Sequence, residues 1–128
     1  MNKYQQYDSL WVSKNFREPE LWCPCCGLYI HSLRLLHALE KLRRLCGNAP
    51  IHVNSGTRCE AHNKAVGGAM KSKHLLGEAA DIVVRGLLPV EVEIFISEIA
   101  AFNHGGVGLY DTFLHVDVRK EGSARWHG

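Results

Sequence analysis

The chain has 128 residues, of which 46% are hydrophobic and 22% are charged, with a formal net charge of +2. This length predicts a single domain, residues 1–128, that buries its own hydrophobic core. The small charge gives no argument for nucleic-acid binding, and no run of about 18 apolar residues predicts a membrane span. The sequence has no sustained heptad repeat, and we expect a monomer.

The N-terminal segment has no apolar run typical of a secretory signal, so we expect synthesis in the cytoplasm without an export signal. Residues 1–30 show weak periodicity and are predicted to form an irregular arm that packs on the domain. The expected anchors of this arm are its aromatic residues Trp11, Phe16 and Trp22.

The chain contains five cysteines, an odd number, of which Cys23, Cys25 and Cys26 lie together and Cys46 and Cys59 stand apart. Free or partly buried thiols are the favoured interpretation, because an odd count and cytosolic synthesis both disfavour a disulfide framework. One disulfide and a second metal site are the alternatives. A structural zinc site usually has two pairs of closely spaced ligands, and only the first cluster offers that spacing.

Leucines at a helical interval predict an amphipathic helix that starts after Ser32 and ends at Gly47. The predicted stripe consists of Leu33, Leu36, Leu39, Leu42 and Leu45. A short strand is predicted at residues 51–54. Pro89 is typical of the first turn of a helix and predicts a second one. Its expected buried face is Val92, Phe95, Ile96, Ile99 and Phe102.

Three further strands are predicted at residues 79–84, 107–110 and 113–118, and the last of them alternates clearly between apolar and polar positions. With the two helices, this order of elements favours an α+β fold. We expect a small antiparallel sheet with helices packed on it.

The residues that indicate chemistry lie in the second half of the chain. His74 and Asp81 are seven positions apart with Gly77 between them, so a turn at the glycine could bring the two side chains to one point. His115 and Asp117 share one face of the last predicted strand, where ionisable groups are costly unless they are paired. Imidazole nitrogens and a carboxylate oxygen suit zinc.

Each of these residues also has a simpler interpretation. A single histidine near an apolar strand is more often a hydrogen-bonded core residue than a ligand. Asp81 could cap a turn, and Asp117 could form a salt bridge with Arg58 or Arg119. The remaining histidines are assigned to the surface or to the core: His31, His37, His52, His62, His104 and His127.

Taken together, several short motifs resemble a known family. They are SGTR at residues 55–58, SKHLLGEAAD at 72–81, GVGLY at 106–110, FLHVD at 113–117 and RW at 125–126. This set is similar to the zinc D-Ala-D-Ala carboxypeptidase and murein peptidase family, whose wider group includes the hedgehog signalling domain. The resemblance implies the fold shared by these peptidases and the hedgehog domain. It also implies one zinc ion per chain, held by His74, Asp81 and His115.

The resemblance also implies roles for residues near the metal. Arg58 is expected to hold a substrate carboxylate or the oxyanion of the reaction, and Ser72 to help bind the substrate. The general base is less clear, because Thr112 stands where many relatives have an acidic residue. Asp117 is the favoured candidate and Asp111 the second; the other interpretation of Asp117 is support of a ligand through a hydrogen bond.

By this resemblance the protein is a zinc-dependent metallopeptidase that cuts stem peptides of bacterial peptidoglycan, either as a carboxypeptidase or as an endopeptidase. An endolysin-like or prophage role, with action on the cell wall after lysis or export, is consistent with it. The alternatives are an inactive zinc-containing module that binds the cell wall and a phage structural component.

Overall fold

The structure is a computed structural model that describes residues 10–128. Its four α-helices in this range are α1 (Leu33–Leu45), α2 (Glu60–Ala65), α3 (Pro89–Glu93) and α4 (Ala100–Asn103). Its five strands are β1 (Ile51–Ser55), β2 (Ala79–Val84), β3 (Gly106–Leu109), β4 (Leu114–Asp117) and β5 (Ala124–His127), and 3₁₀ helices lie at Glu18–Leu21, Lys73–Leu76 and Ile96–Glu98. Over these residues, no helix is both long enough and apolar enough to cross a lipid bilayer.

The five strands form one sheet in the order β1-β2-β4-β3-β5. Neighbouring strands are antiparallel except β3 and β5, which run parallel. The predicted α+β fold, a small antiparallel sheet with helices packed on it, is confirmed, and the parallel edge pair is an addition to it. The sequence pattern does not predict β5, because Arg125 and His127 leave too few apolar residues for a strand signal.

The hydrophobic core lies on one face of the sheet, under the helices. Strand alternation directs Ile82 and Val84 of β2 and Leu114 and Val116 of β4 to that face, where all four are buried. Helical side chains complete the core: Leu35, Leu36, Leu39, Leu42, Val92, Ile96, Ile99 and Phe102. The opposite face of β2 and β4 is therefore available for polar residues.

Helix α1 begins and ends close to the predicted positions. Ser32 caps it, accepting a hydrogen bond at 3.2 Å on its hydroxyl oxygen from the backbone N–H of Leu35. The predicted stripe is wrong at its first member, because Leu33 is 56% exposed while Leu35 is buried. A strict three-residue interval drifts around the helix by about 60° per step, so the ends of such a stripe leave the buried face.

The second predicted helix is divided into α3, a 3₁₀ turn and α4. Ile99 has an extended backbone, with φ −118° and ψ 96°, and interrupts the helix before α4. The segment is rich in β-branched residues, which have low helix propensity. Its predicted buried face is confirmed, since Val92, Ile96 and Ile99 are buried with Phe102, and Phe95 is partly buried against them.

The N-terminal arm packs on the domain over residues 10–30, and its first nine residues lie outside the described part. Phe16 is fully buried, as expected of an anchor. The other two predicted anchors are wrong, because Trp11 is 50% and Trp22 38% exposed. Leu21, in a 3₁₀ turn, is buried in their place and belongs to the same hydrophobic core as Phe16.

A buried carboxylate fastens this arm to α1. Glu40 accepts hydrogen bonds from the Ser13 hydroxyl at 2.6 Å, from the backbone N–H of Asn15 at 2.7 Å and from the Asn15 side-chain amide at 2.6 Å. Burial alone would raise the pKa of Glu40, but these hydrogen bonds from Ser13 and Asn15 outweigh burial and lower the pKa.

We therefore predict that Glu40→Gln lowers the free energy of unfolding at neutral pH by about 1–3 kcal/mol, because one amide oxygen cannot accept all three hydrogen bonds. The folded-state pKa of Glu40 lies below its ordinary value of 4.5. The contribution is therefore present above that pH and disappears as the pH falls through the lowered pKa. Denaturant unfolding of both proteins at neutral and acidic pH measures this difference. A gap between wild type and variant that grows on acidification contradicts the prediction.

Candidate metal centre

The pairing of β2 with β4 places Asp81 opposite His115. Both residues lie on the sheet face turned away from the core, because their neighbours Ile82 and Leu114 point into it. The predicted alternation in β4 is confirmed, since His115 and Asp117 share this second face and contact each other. The sheet thus brings two of the three predicted ligands together without any loop.

His74 reaches the same point from the 3₁₀ helix Lys73–Leu76. Ser72 caps that helix, accepting a hydrogen bond at 3.3 Å from the backbone N–H of His74. Gly77 then turns the chain into β2 with φ +70°, and a Cβ atom there would lie 2.4 Å from the carbonyl oxygen of Ile30. Only glycine fits this position, which confirms the predicted turn between His74 and Asp81.

The three side chains converge on one point. The Asp81 Oδ1 atom lies 3.2 Å from His74 Nε2 and 2.9 Å from His115 Nδ1. All three residues are buried, and their ligand atoms lie within 4.8 Å of one another. Ligand atoms around a tetrahedral zinc ion with bonds of 2.0–2.1 Å are about 3.3 Å apart, so these residues fit a metal with little movement.

The second nitrogen of each imidazole is held from behind. His74 Nδ1–H donates to the backbone carbonyl of Gly56 at 2.7 Å, and His115 Nε2–H donates to Asp117 Oδ2 at 2.8 Å. Carbonyl and carboxylate oxygens can only accept, so in the neutral form of each ring these bonds fix which nitrogen carries the proton. The nitrogens left for a metal are His74 Nε2 and His115 Nδ1, the two that face Asp81.

The electrostatics of the site favour a cation between the rings. Burial alone would raise the pKa of Asp81, but hydrogen bonds with His115 and His74 outweigh burial and hold that pKa well below its usual range. Burial alone would lower the pKa of His115, but the carboxylates of Asp117 and Asp81 raise it. The same negative charges that favour a proton on His115 also favour a metal ion.

Asp117 lies behind His115 and does not line the cleft. Its carboxylate is fully buried and also accepts from the Gly106 backbone N–H at 2.8 Å and from Arg119 Nε and Nη2 at 2.9 and 2.7 Å. Burial alone would raise the pKa of Asp117, but hydrogen bonds from Arg119 and His115 hold it well below its usual range. Of the two arginines considered from sequence, Arg119 is the partner.

Three hydrogen bonds hold Arg58 beside the predicted metal ligands. Its Nη2 donates to Asp81 Oδ2 at 3.1 Å, its Nε to Ser55 Oγ at 2.9 Å and its Nη1 to Asn63 Oδ1 at 3.2 Å. The structure therefore joins Arg58 to the oxygen of Asp81 that is not shared with the histidines.

The three predicted ligands line the floor of an open cleft of about 490 Å³. Arg58 and Ser72 line it, as expected of residues that contact a substrate, whereas Asp111 is exposed on the loop after β3 and lies outside the lining. The rest of the wall comes from Val66, Gly67, Gly68, Ala69, Lys71, Lys73, Tyr110, Phe113, Arg119 and Trp126.

Sequence reasoning missed the aromatic wall of this cleft. The ring centroid of Trp126, in β5, lies 4.9 Å from that of His115, and its Nε1–H donates to the Tyr110 hydroxyl at 2.9 Å. Gly108 leaves room for the indole, since a Cβ there would lie 2.3 Å from Trp126 Nε1. The RW pair at residues 125–126 was a signal, but without β5 its position in the sheet could not be derived.

The model of the family described as Peptidase M15 matches residues 12–117, a range that includes His74, Asp81 and His115. The chain belongs to the peptidase M15 family. The resemblance drawn from the sequence motifs is thereby confirmed.

One relative of this M15 chain is the zinc D-Ala-D-Ala carboxypeptidase of Streptomyces albus G. The two are 40% identical over 52 residues, a segment that is 41% of this chain and 20% of the relative. The chain therefore matches only about one fifth of the length of that protein.

We predict that Asp117→Asn weakens zinc binding by about 10–100-fold, because the amide no longer orients His115 or supports its basicity. Competition with a chromogenic chelator measures the zinc affinity. Glu40→Gln is the matched control, since it also turns a buried carboxylate into an amide but lies in α1. The prediction fails if both variants bind zinc as the wild type does, with Asp117→Asn still folded by circular dichroism.

Proposed function

We propose that this M15 chain is a single zinc peptidase domain that hydrolyses peptide bonds of bacterial peptidoglycan. The observation that carries the proposal is the convergence of His74, Asp81 and His115 in the wall of an open cleft. The printed name of the Streptomyces relative, a zinc D-Ala-D-Ala carboxypeptidase, supports both the metal and the substrate class.

The donor set fits a catalytic zinc ion better than a structural one. Three protein ligands leave a fourth position open, and the open position of such a site faces the solvent or the substrate. When bound, zinc polarises a carbonyl oxygen and lowers the pKa of a water molecule toward neutrality. The chain's part is to hold the three ligands in place, which the hydrogen bonds of Gly56 and Asp117 do from behind.

We assign Arg58 to the binding of a substrate carboxylate or of the oxyanion that develops during hydrolysis. Three of its N–H groups are used by Ser55, Asn63 and Asp81, and these bonds hold the guanidinium rigidly in the cleft wall. Its other N–H groups are available to a ligand. A preorganised cation of this kind stabilises negative charge without the cost of rearranging during the reaction.

One further charge of the cleft also suits an acidic peptide. Arg58, Lys73 and Arg119 line the cleft but pair with the carboxylates of Asp81, Glu121 and Asp117, whereas Lys71 adds an exposed positive charge to the described wall. A peptidoglycan stem peptide carries carboxylates, so this lysine favours its binding. Ser72, whose oxygen accepts from His74 N–H, keeps its hydroxyl hydrogen to donate to the backbone of such a peptide.

The two residues considered as general base from the sequence, Asp117 and Asp111, do not line the cleft. Asp117 is buried behind His115 and Asp111 lies outside the cleft lining, so neither reaches a substrate directly. We propose that Asp117 is a positioning residue that acts through His115. The lack of a second carboxylate in the described wall favours one alternative function, a zinc-containing module that binds the cell wall without cutting it.

Hydrolysis of purified peptidoglycan tests the proposal against this alternative. We expect muropeptide mass spectrometry to show cleavage that a chelator abolishes and added zinc restores. His115→Ala is expected to lose at least about 100-fold in rate, since a ligand is removed. His52→Ala, which changes an exposed histidine of β1, is the control. Binding of peptidoglycan by zinc-loaded protein without any cleavage would establish the alternative, and chelator-resistant cleavage would sink the metal mechanism.

The same digests identify the bond that is cut. Release of free D-alanine indicates carboxypeptidase action, and separation of cross-linked muropeptides indicates endopeptidase action. An endolysin-like role is part of the proposal, and it predicts that protein added from outside lowers the turbidity of permeabilised cells. Turbidity that stays constant while purified peptidoglycan is cleaved contradicts that role alone.

A second prediction concerns Arg58. Arg58→Lys keeps the charge but loses the planar fork that joins Ser55, Asn63 and Asp81, so we expect kcat/KM to fall by about 10–100-fold with zinc content unchanged. Lys64→Arg, on α2, is a control for the exchange of one cation for the other. An unchanged kcat/KM would remove Arg58 from the proposed mechanism.

A further inference from the structure

A second group of metal-binding side chains lies outside the cleft. The Sγ atoms of Cys23, Cys25, Cys26 and Cys59 all lie within 4.8 Å of one another, and we call these four residues the cysteine cluster. Cys23 is buried, Cys59 is half-buried, and the other two are exposed. All four are free thiols in the structure, and the proposed peptidase mechanism uses none of them.

We propose that the cysteine cluster is a second zinc site, closed by four thiolates and structural in role. The sulfur atoms of Cys25 and Cys59 are 3.2 Å apart, and those of Cys23 and Cys25 are 3.6 Å apart. Four sulfurs around a tetrahedral zinc ion with bonds of about 2.3 Å are about 3.8 Å apart. These two distances and the 4.8 Å limit on the others are close to the spacing that such a zinc ion requires.

A disulfide explains this arrangement less well. One disulfide uses two sulfurs and gives no reason for two further thiols to face the same point. Cys46, at the end of α1, is not part of the cluster, so convergence is specific to these four of the five cysteines. The chain has an odd number of cysteines, which argues against complete pairing in disulfides. Four zinc ligands and one unrelated thiol, Cys46, account for all five.

The backbone around the cluster is built to present thiolates. A tight turn closes at residues 23–28, where Gly27 N–H donates to the Cys23 carbonyl and Cys23 N–H donates to the Leu28 carbonyl, both at 2.8 Å. Gly27 permits this turn with φ +76°. Backbone N–H groups also point at sulfur, from Cys59 to Cys23 Sγ and from His62 to Cys59 Sγ, both at 3.4 Å. Such donors stabilise the negative charge that thiolate ligands carry.

The position of the site suggests what it does. Cys59 follows Arg58 directly, and the three other ligands belong to the N-terminal arm. The same two segments are also joined by Thr57 N–H, which donates to the Leu21 carbonyl at 3.0 Å. A zinc ion in the cluster would therefore fasten the arm to the segment that carries Arg58 into the cleft, and its four protein ligands would leave no open position for catalysis.

Metal analysis of the full chain, purified under reducing conditions, tests this proposal. We expect two zinc ions per chain in the wild type and in the control Cys46→Ser, but one in Cys59→Ser. His115→Ala should also keep one, and this zinc is the one in the cysteine cluster. With cobalt in place of zinc, the sulfur-to-cobalt charge-transfer absorption should persist in His115→Ala and vanish in Cys59→Ser. The test is thus independent of peptidase activity, so its failure and that of the proposed function are distinguishable.

Two results would overturn the proposal. One is a wild-type protein with one zinc per chain and five thiols that all react at once with a thiol reagent. The other is a disulfide within the cysteine cluster in peptide mass spectra of protein purified with reductant. If Cys59→Ser does not fold, zinc X-ray absorption of the wild type decides instead. Sulfur neighbours around part of the zinc support the site, and nitrogen and oxygen neighbours alone refute it.

Discussion

The register between β2 and β4 is the constraint on which the rest of the structure depends. It sets Asp81 opposite His115 on one face of the sheet, and it sets Ile82 opposite Leu114 on the other. A slip by one residue would exchange the two faces, exposing the core and burying the ligands among the helices. Burial of the apolar face therefore also positions the proposed metal ligands. Because core burial fixes the register of β2 and β4, it also fixes the relative positions of Asp81 and His115.

The site concentrates charge on buried side chains, and each charge has a partner. Asp81 lies between two imidazoles and Arg58, and Asp117 lies between His115 and Arg119. Desolvating such groups is costly, and the cost is offset only when hydrogen bonds satisfy the remaining lone pairs. Here the two carboxylates share His115, which links them into one network. Hydrogen bonds orient these side chains without a metal, and preorganisation of this kind limits the rearrangement needed for binding.

The sequence alone predicts those parts of the site that depend on local spacing. His74 and Asp81 could be joined because a glycine turn lies between them, and His115 could be placed by alternation within one strand. Long-range features could not be obtained in this way. The environment of Asp117 depends on hydrogen bonds from Arg119 and from Gly106 at the start of β3. The contact of Trp126 with His115 depends on β5, a parallel strand whose sequence has little hydrophobic alternation. Cys59 is likewise far along the chain from the other cysteines of its cluster.

Gly77 shows how the arm and the metal centre constrain each other. The backbone of Ile30 packs directly against this glycine, three residues after a proposed ligand and four before another. Any change that displaces the arm near Ile30 therefore shifts the turn between the two ligands, although no ligand is touched. In protein engineering, the arm should be treated as part of the scaffold of the candidate metal centre. A chimaera that takes its sheet from this chain and its arm from a relative must preserve that single backbone contact.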